Sequence, residues 1–304
     1  MRAGYGTILN FTLKFNDMNM SDFFQNIVYP AFFSNFKRSH GKRTHYLLLN
    51  PQYLNFGTEE KTDNAIIGRF VKNTVLTSDQ ILKAGELIES NESIQSSPSS
   101  TFALFINDHK LLYLADTPYA PDYKTFQVTI LKFIKKSRMA AIELEYIRLK
   151  NIGKPLTKKS LERAFPVPSL NIFPKPTDTS IDKFVSQFEI LQSIKLNLNK
   201  SNHEPEMDDT IKGLKHIADL LDGRTTLSSV NNEGLNKATA EEFLRESVQL
   251  DVDEIDARGI GNDGEKLKLD NDDLLIEVDV GTDLPTTVSK VQAMLARLQN
   301  VRNK

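Results

Sequence analysis

The sequence predicts an α+β fold of two modules, each a mainly antiparallel sheet with helices packed on it. Short apolar runs with a period of two are interspersed with amphipathic helical segments, without the regular strand–helix order of a parallel sheet. A length of 304 residues suits two domains of ordinary size. The predicted division is a basic N-terminal module over 1–150, a Pro- and Lys-rich linker over 151–168, and an acidic module over 169–304.

The N-terminal module is predicted to contain several strands and one long helix. Alternation of apolar and polar residues over 7–15 indicates a half-buried strand, and Pro30 is expected to break or kink a helical segment over 21–36. The other predicted elements are strands at 45–49 and 65–71, a hairpin turning at 107–108, a helix from 121 or 122, and a strand at 140–149.

The C-terminal module is predicted to mix strands and helices and to end in an amphipathic helix over 286–300. That helix has an apolar stripe of Val288, Val291, Leu295 and Leu298. The stripe suits either packing on its own sheet or contact with a second copy, and a homo-oligomer is expected. The remaining predicted elements are strands at 169–173 and 190–199, a helix capped by Thr179 and Asp182, and helices at 208–222 and 239–249.

Composition excludes several kinds of chemistry. The chain has no cysteine, so it forms no disulfide, no thiolate zinc site and no thiol nucleophile. Five histidines are few for a metalloenzyme or for a Ser-His-Asp hydrolase. The longest uncharged stretch, 23–36, contains a proline and is too short to span a bilayer. We expect a cytoplasmic protein without a cofactor, a bound metal or a membrane contact.

Charge is distributed unevenly along the chain. Residues 1–200 hold 26 Lys and Arg against 18 Asp and Glu, a net of +8, whereas 201–304 hold 12 against 22, a net of −10. Such a difference favours a nucleic-acid or charged-protein partner. Two alternatives stay open: both regions are solvated faces, or they contact each other within the molecule.

The basic segment 37–43 is the leading candidate for contact with nucleic acid. It contains Lys37, Arg38, Lys42 and Arg43 and no acidic residue, and cations of this kind neutralise phosphates. A plain solvated loop beside core aromatic residues is the alternative. The candidate set also includes two aromatic residues that could stack on bases and three cations of the long helix: Phe36, Tyr46, Lys135, Lys136 and Arg138.

An alternative function is a metal-dependent nuclease that uses carboxylates of the acidic module. If residues 271–272 form a hairpin turn, Lys266 faces Glu277, and Asp279 lies on the same strand as Glu277. A cross-strand surface pair gives the same pattern. Glycines at 259, 261 and 264 match the spacing of a dinucleotide fingerprint, but no helix follows, so a turn at 262–264 is expected instead.

The opening GYGTILNFTLKF, the later IIGRF and the separate C-terminal module resemble a family of uncharacterised bacterial proteins encoded near phage-defence genes. The resemblance covers most of the chain and implies an antiviral role in the cytoplasm. It assigns no catalytic residue. The leading interpretation is a non-enzymatic nucleic-acid-binding or assembly subunit; a nuclease and a pure protein–protein scaffold are the alternatives.

Overall fold

The computed structural model describes residues 2–16, 18–57, 62–77, 80–83, 85–89, 93–154, 156–175, 177–198, 225–249 and 252–302. The chain forms two compact units, the first of residues 1–6, 14–170 and 278–299 and the second of 7–13, 171–277 and 300–304. Antiparallel sheets and helices build both units, which confirms the α+β class. Their bounds differ from the predicted division, since residues 278–299 group with the N-terminal part.

Strands outnumber helices along the described part of the chain. In chain order, the strands are β1 Tyr5–Phe15, β2 Met18–Asn19, β3 Lys37–His40, β4 Thr44–Asn55, β5 Asn64–Thr77, β6 Gln80–Lys83, β7 Glu86–Glu89, β8 Ser93–Ser96, β9 Ser99–Phe105, β10 Lys110–Ala115, β11 Pro168–Pro174, β12 Phe188–Leu198, β13 Thr225–Val230, β14 Val252–Gly261, β15 Lys266–Asp270 and β16 Val278–Asp279. The α-helices are α1 Tyr29–Phe33, α2 Tyr123–Asn151, α3 Lys158–Ala164, α4 Asp178–Ser186, α5 Lys237–Gln249 and α6 Thr287–Arg302.

The first unit contains an antiparallel sheet in the order β10-β9-β5-β4-β3. The predicted hairpin is confirmed, because β9 and β10 pair from Phe105 opposite Lys110 to Ser100 opposite Ala115. β8 extends the sheet beside the far end of β5. The segment expected to kink is a 3₁₀ turn, a π turn and then α1, and Pro30 lies in the first turn of α1, where a missing N–H is tolerated.

Helix α2 packs on this sheet through a cluster of aromatic side chains centred on Phe126. The Phe126 ring lies 5.0 Å from Phe102, 5.3 Å from Phe70 and 5.5 Å from Tyr113. All four residues are buried. Each ring removes a large apolar area from water, and tilted or edge-on pairs add about 0.5–1.5 kcal/mol beyond that burial. This cluster fixes the position of the helix on the sheet.

The strand predicted at 140–149 is wrong, because these residues form the second half of α2. The helix begins after Asp122, whose carboxylate accepts the backbone N–H of Thr125 at 2.7 Å. No proline or glycine interrupts it, and Ala, Leu, Glu and Arg over 140–149 are strong helix formers. It ends before Gly153, which has a φ of +71° and accommodates the left-handed turn that closes a helix.

The second unit contains an antiparallel sheet in the order β13-β12-β14-β15, with α4 and α5 packed on it. The turn expected at 262–264 is confirmed between β14 and β15, and Gly264 supplies its positive φ of +80°. Helix α4 begins slightly earlier than expected, with Thr177 and Ser180 as its capping box. The predicted helix over 208–222 lies outside the described residues.

Helix α6 belongs to the first unit, and its stripe is packed there. Val291 and Leu298 are buried. Val288 and Leu295 line a cavity of about 460 Å³ together with residues 54–57. Two of the four residues of the stripe thus pack α6 within its own unit, and the other two line this cavity.

A buried carboxylate also holds α6 in place. The Asp116 side chain is only 2% exposed, and it accepts hydrogen bonds from Lys290 Nζ at 2.6 Å and from Thr101 Oγ1 at 2.9 Å. The Nε atom of Arg69 lies 3.5 Å from the same carboxylate. Because water does not screen this site, removing one partner leaves the other charges without compensation.

We predict that Asp116→Ala lowers the free energy of unfolding by about 3–5 kcal/mol, because Lys290 then loses its partner in a buried site. Asp108→Ala is the matched control, since the Asp108–Lys110 pair has the same 2.6 Å separation but its carboxylate is 46% exposed. An exposed pair contributes about 1 kcal/mol or less. Urea-induced unfolding measures both variants, and equal losses would contradict a stabilising role for the buried cluster.

Candidate nucleic-acid interface

The basic segment 37–43 forms a β-hairpin instead of a loop. In β3 and β4, Lys37 lies opposite Leu47, Arg38 opposite Tyr46, and His40 opposite Thr44. Side chains alternate along β3, so Lys37 is exposed whereas Arg38 is half-buried. Lys42 and Arg43 lie exposed in the turn. Charged side chains on an edge strand also prevent pairing between sheets of different molecules, which is the structural alternative to a binding role.

The outer face of α2 carries a second group of cations. Lys132, Lys135 and Lys136 are exposed, and no acidic residue occurs over 123–142. Lys132 was absent from the candidates that the sequence suggested. A helical period of 3.6 places Lys132 on the same face as Lys135 and Lys136. The periodicity of the sequence was therefore enough to identify it.

Three contacts bring the hairpin and the helix together. Arg38 Nη1 donates to Thr129 Oγ1 at 2.9 Å. The Phe36 ring lies 5.8 Å from the ring of Phe133, and Lys136 Nζ lies 5.4 Å from the centre of the Phe36 ring. We call the exposed cations of these two elements the basic surface: Lys37, Lys42, Arg43, Lys132, Lys135 and Lys136.

Four lysines of the basic surface lack a carboxylate partner among the described residues. Lys37, Lys42, Lys132 and Lys135 form no ion pair with any acidic residue of the described ranges. Beyond residue 142 the pattern changes, because acidic residues there pair with cations such as Lys158. Clustered lysines without carboxylates produce a positive potential that attracts polyanions such as nucleic acids.

The two aromatic residues proposed for stacking on bases are packed against the protein. Tyr46 is 9% exposed, lies stacked 5.7 Å from Phe70 and is covered on one side by Arg38 at 5.3 Å. Phe36 is half-buried beside α2. Arg38 is likewise engaged in holding β3 on α2. Phe36, Arg38 and Tyr46 therefore pack beneath the basic surface and stabilise it, and they do not line it.

Arg138 has a structural position. It is 9% exposed, and its Nε and Nη2 atoms donate to the carbonyl oxygens of Phe165 at 2.6 Å and Glu162 at 3.2 Å. These carbonyls lie at the end of α3, where helices leave backbone acceptors unsatisfied. The guanidinium therefore holds α3 on α2. The sequence could not indicate this, since the two partners lie 24 and 27 positions away.

The arrangement predicted for a nuclease is not formed as expected. Residues 271–274 form a 3₁₀ turn, and Lys266 pairs opposite Ile260, so the predicted Lys266–Glu277 pair is wrong. Glu277 is exposed and lies outside any strand, and the Asp279 carboxylate accepts the N–H of Gly281 at 3.0 Å. Within the described ranges, no three acidic or histidine side chains cluster as metal ligands.

No helix in those ranges is long and apolar enough to cross a membrane.

We predict that Arg138→Ala lowers the free energy of unfolding by about 2–4 kcal/mol, because two carbonyls lose a charged donor in a buried site. Arg138→Lys restores little of this loss, since an ammonium group cannot reproduce the planar fork of the guanidinium. Urea-induced unfolding measures both variants. A loss within about 0.5 kcal/mol, typical of a surface substitution, would show that Arg138 is not a structural clamp.

Comparison of the chain with models of known protein families and with curated protein sequences gives no match. The resemblance to proteins encoded near phage-defence genes therefore rests on strand patterns alone, and it transfers no residue role. What the site can do follows from its own geometry, in which a hairpin and a helix that contact each other both carry exposed cations.

Proposed function

We propose that the protein is a non-enzymatic subunit that binds nucleic acid through the basic surface. The observation that supports this most directly is the juxtaposition of two cation groups from distant parts of the sequence, joined by the Arg38–Thr129 hydrogen bond. In these groups, Lys37, Lys42, Lys132 and Lys135 form no ion pair with a carboxylate of the described residues. A polyanion would replace the missing negative charge and release its own counterions on binding.

The geometry suits contacts with the phosphate backbone. Lysines three or four positions apart on α2 are separated by about 4.5–6 Å along the helix axis, because each residue rises about 1.5 Å. Flexible ammonium groups on such a row can follow successive phosphates without a fixed register. Phosphate contacts position a nucleic acid and carry no direct information about its sequence, so the expected binding is largely sequence-independent.

A role in anti-phage defence is part of this proposal only through the resemblance that the sequence suggests. Binding nucleic acid without sequence preference suits a subunit that meets foreign nucleic acid of many sequences. The basic surface supports the binding function whether or not the defence role holds.

We predict that replacing Lys37, Lys132 and Lys135 together by Ala weakens binding of a 20-nucleotide single strand and of the corresponding duplex. The slope of log affinity against log salt should become less steep by about 2 for the single strand, since each lost phosphate contact removes about 0.7. Fluorescence anisotropy at several salt concentrations measures this slope. Stability should change little, because all three side chains are exposed.

A charge-matched control is available in the second unit. Lys183, Lys195 and Lys266 are exposed, and their triple replacement by Ala changes the net charge by the same amount. We expect the control variant to retain the wild-type slope. Identical slopes for both triple variants would show that net charge alone attracts the nucleic acid, and the basic surface would lose its assigned role.

A second candidate function, assembly, is favoured by the C-terminal half of α2. The exposed fractions of Leu144 and Ile147 are 70% and 46%. These residues lie on the same side of the helix as the buried Phe133, so the apolar face of α2 continues past the core that covers it. An apolar stripe along a helix can pair with the same stripe of a second copy, which suits self-association.

We predict that the protein forms a dimer at tens of micromolar, in the range of weak self-association, and that Leu144→Glu converts it to a monomer. Ile94→Glu is the control, since Ile94 is 67% exposed and lies on β8. Light scattering after size-exclusion chromatography measures the mass. A wild-type monomer, or a dimer that persists in Leu144→Glu, would exclude this stripe as the contact.

A further inference from the structure

The loop over 116–122, which joins β10 to α2, presents one aromatic side chain to solvent. Tyr119 is 91% exposed. It is the sole aromatic residue of the loop, and its neighbours are Pro118, Ala120 and polar residues. An exposed fraction this high leaves the ring almost wholly open to solvent, in contrast with Phe36 and Tyr46.

Tyr119 also occupies an unfavourable backbone conformation. The N–H of Ala120 donates to the carbonyl of Thr117 at 3.2 Å, which closes a four-residue turn. Pro118 takes the second position, and Tyr119 takes the third with a φ of +60°. A proline followed by a positive φ is the pattern of a type II turn, whose third position favours Gly or Asn. A bulky residue there is strained, and such strain concentrates at functional positions.

The turn is held rigidly on both sides. Thr117 Oγ1 accepts the N–H of Ser99 at 3.0 Å. The Pro121 carbonyl accepts hydrogen bonds from Ser100 Oγ and Tyr113 Oη, each at 2.7 Å. Burial raises the pKa of Tyr113 well above its usual value, so its hydroxyl remains a donor at ordinary pH. The Tyr119 ring is thus presented from an anchored loop.

This loop leads into α2, the helix that carries the row of lysines. The helix begins at Tyr123, and Lys132 lies roughly 14 Å further along its axis, given a rise of about 1.5 Å per residue. One acidic residue, Asp122, lies between the ring and the helix, and its carboxylate is engaged as the helix cap. Proteins bind single strands by combining exposed aromatic rings with cations that contact the backbone.

We infer that Tyr119 stacks on a base of single-stranded nucleic acid whose phosphates follow the basic surface. The inference rests on the proposed function and specifies its ligand, because duplex bases are stacked on one another and cannot reach an exposed ring. The alternative, a protein partner, fits less well. Aromatic residues that dominate protein interfaces sit among other apolar contacts that exclude water, and this loop offers no further aromatic or large aliphatic side chain.

The test compares two labelled strands by fluorescence anisotropy: a 20-nucleotide oligothymidylate and an abasic strand of equal length. Tyr119→Asn removes the ring, and Asn tolerates a positive φ, so the melting temperature should stay the same or rise. We expect oligothymidylate binding to weaken about 5- to 150-fold and abasic binding to stay unchanged. Tyr119→Phe should retain wild-type affinity for both strands. Ile94→Asn, which removes an exposed apolar side chain elsewhere, should bind as the wild type does.

The outcomes separate the two proposals. If the wild type and Tyr119→Asn bind oligothymidylate equally, stacking by Tyr119 is overturned, whereas the salt-dependent role of the basic surface stands. A loss of equal size on both strands also overturns stacking, since the abasic strand has no base to contact. If the wild type binds neither strand nor duplex, the proposed function fails and the inference fails with it.

Discussion

The aromatic cluster around Phe126 is the contact on which the arrangement of the first unit depends. It packs α2 against the sheet, and α2 in turn positions three further parts of the unit. Its outer face carries lysines, Thr129 in its first half binds the β3–β4 hairpin through Arg38, and Arg138 near its middle binds the end of α3. A change that moves this helix would displace all three together, because each is attached to it.

The packing also explains why some basic side chains stabilise the fold whereas others face solvent. Along β3 the alternation of the strand sends Lys37 outward and Arg38 toward the helix. Along α2 the helical period does the same, with lysines outward and Phe133 inward. Residues of one chemical type therefore have different roles within a few positions. A basic segment of the sequence contains both the cations that face solvent and the cations that hold the fold.

Local patterns predicted the elements that depend on neighbouring residues. The period of two in β1, the turn between β9 and β10 and the turn at 262–264 are all encoded within about ten positions.

Contacts between distant residues were not predictable in this way. The pairing of Asp116 with Lys290, the capping of α3 by Arg138 and the burial of Tyr46 against Phe70 each depend on where separate elements meet. The strand predicted at 140–149 does not form, because a helix already begun at 123 continues through good helix formers. One feature of the sequence pointed to Tyr119, namely the proline directly before it. Its exposure to solvent could be known only from the fold.

The distance in sequence between Asp116 and Lys290 has a consequence for synthesis of the chain. These two residues are 174 positions apart, so the buried carboxylate emerges from the ribosome long before its lysine partner. At a translation rate of about 5–20 residues per second, the delay is roughly 9–35 s. During that time Asp116 has Arg69 and Thr101 beside it but not the helix that carries Lys290. The first unit thus reaches its complete form only after residues 278–299 have been made, although most of its residues precede position 171.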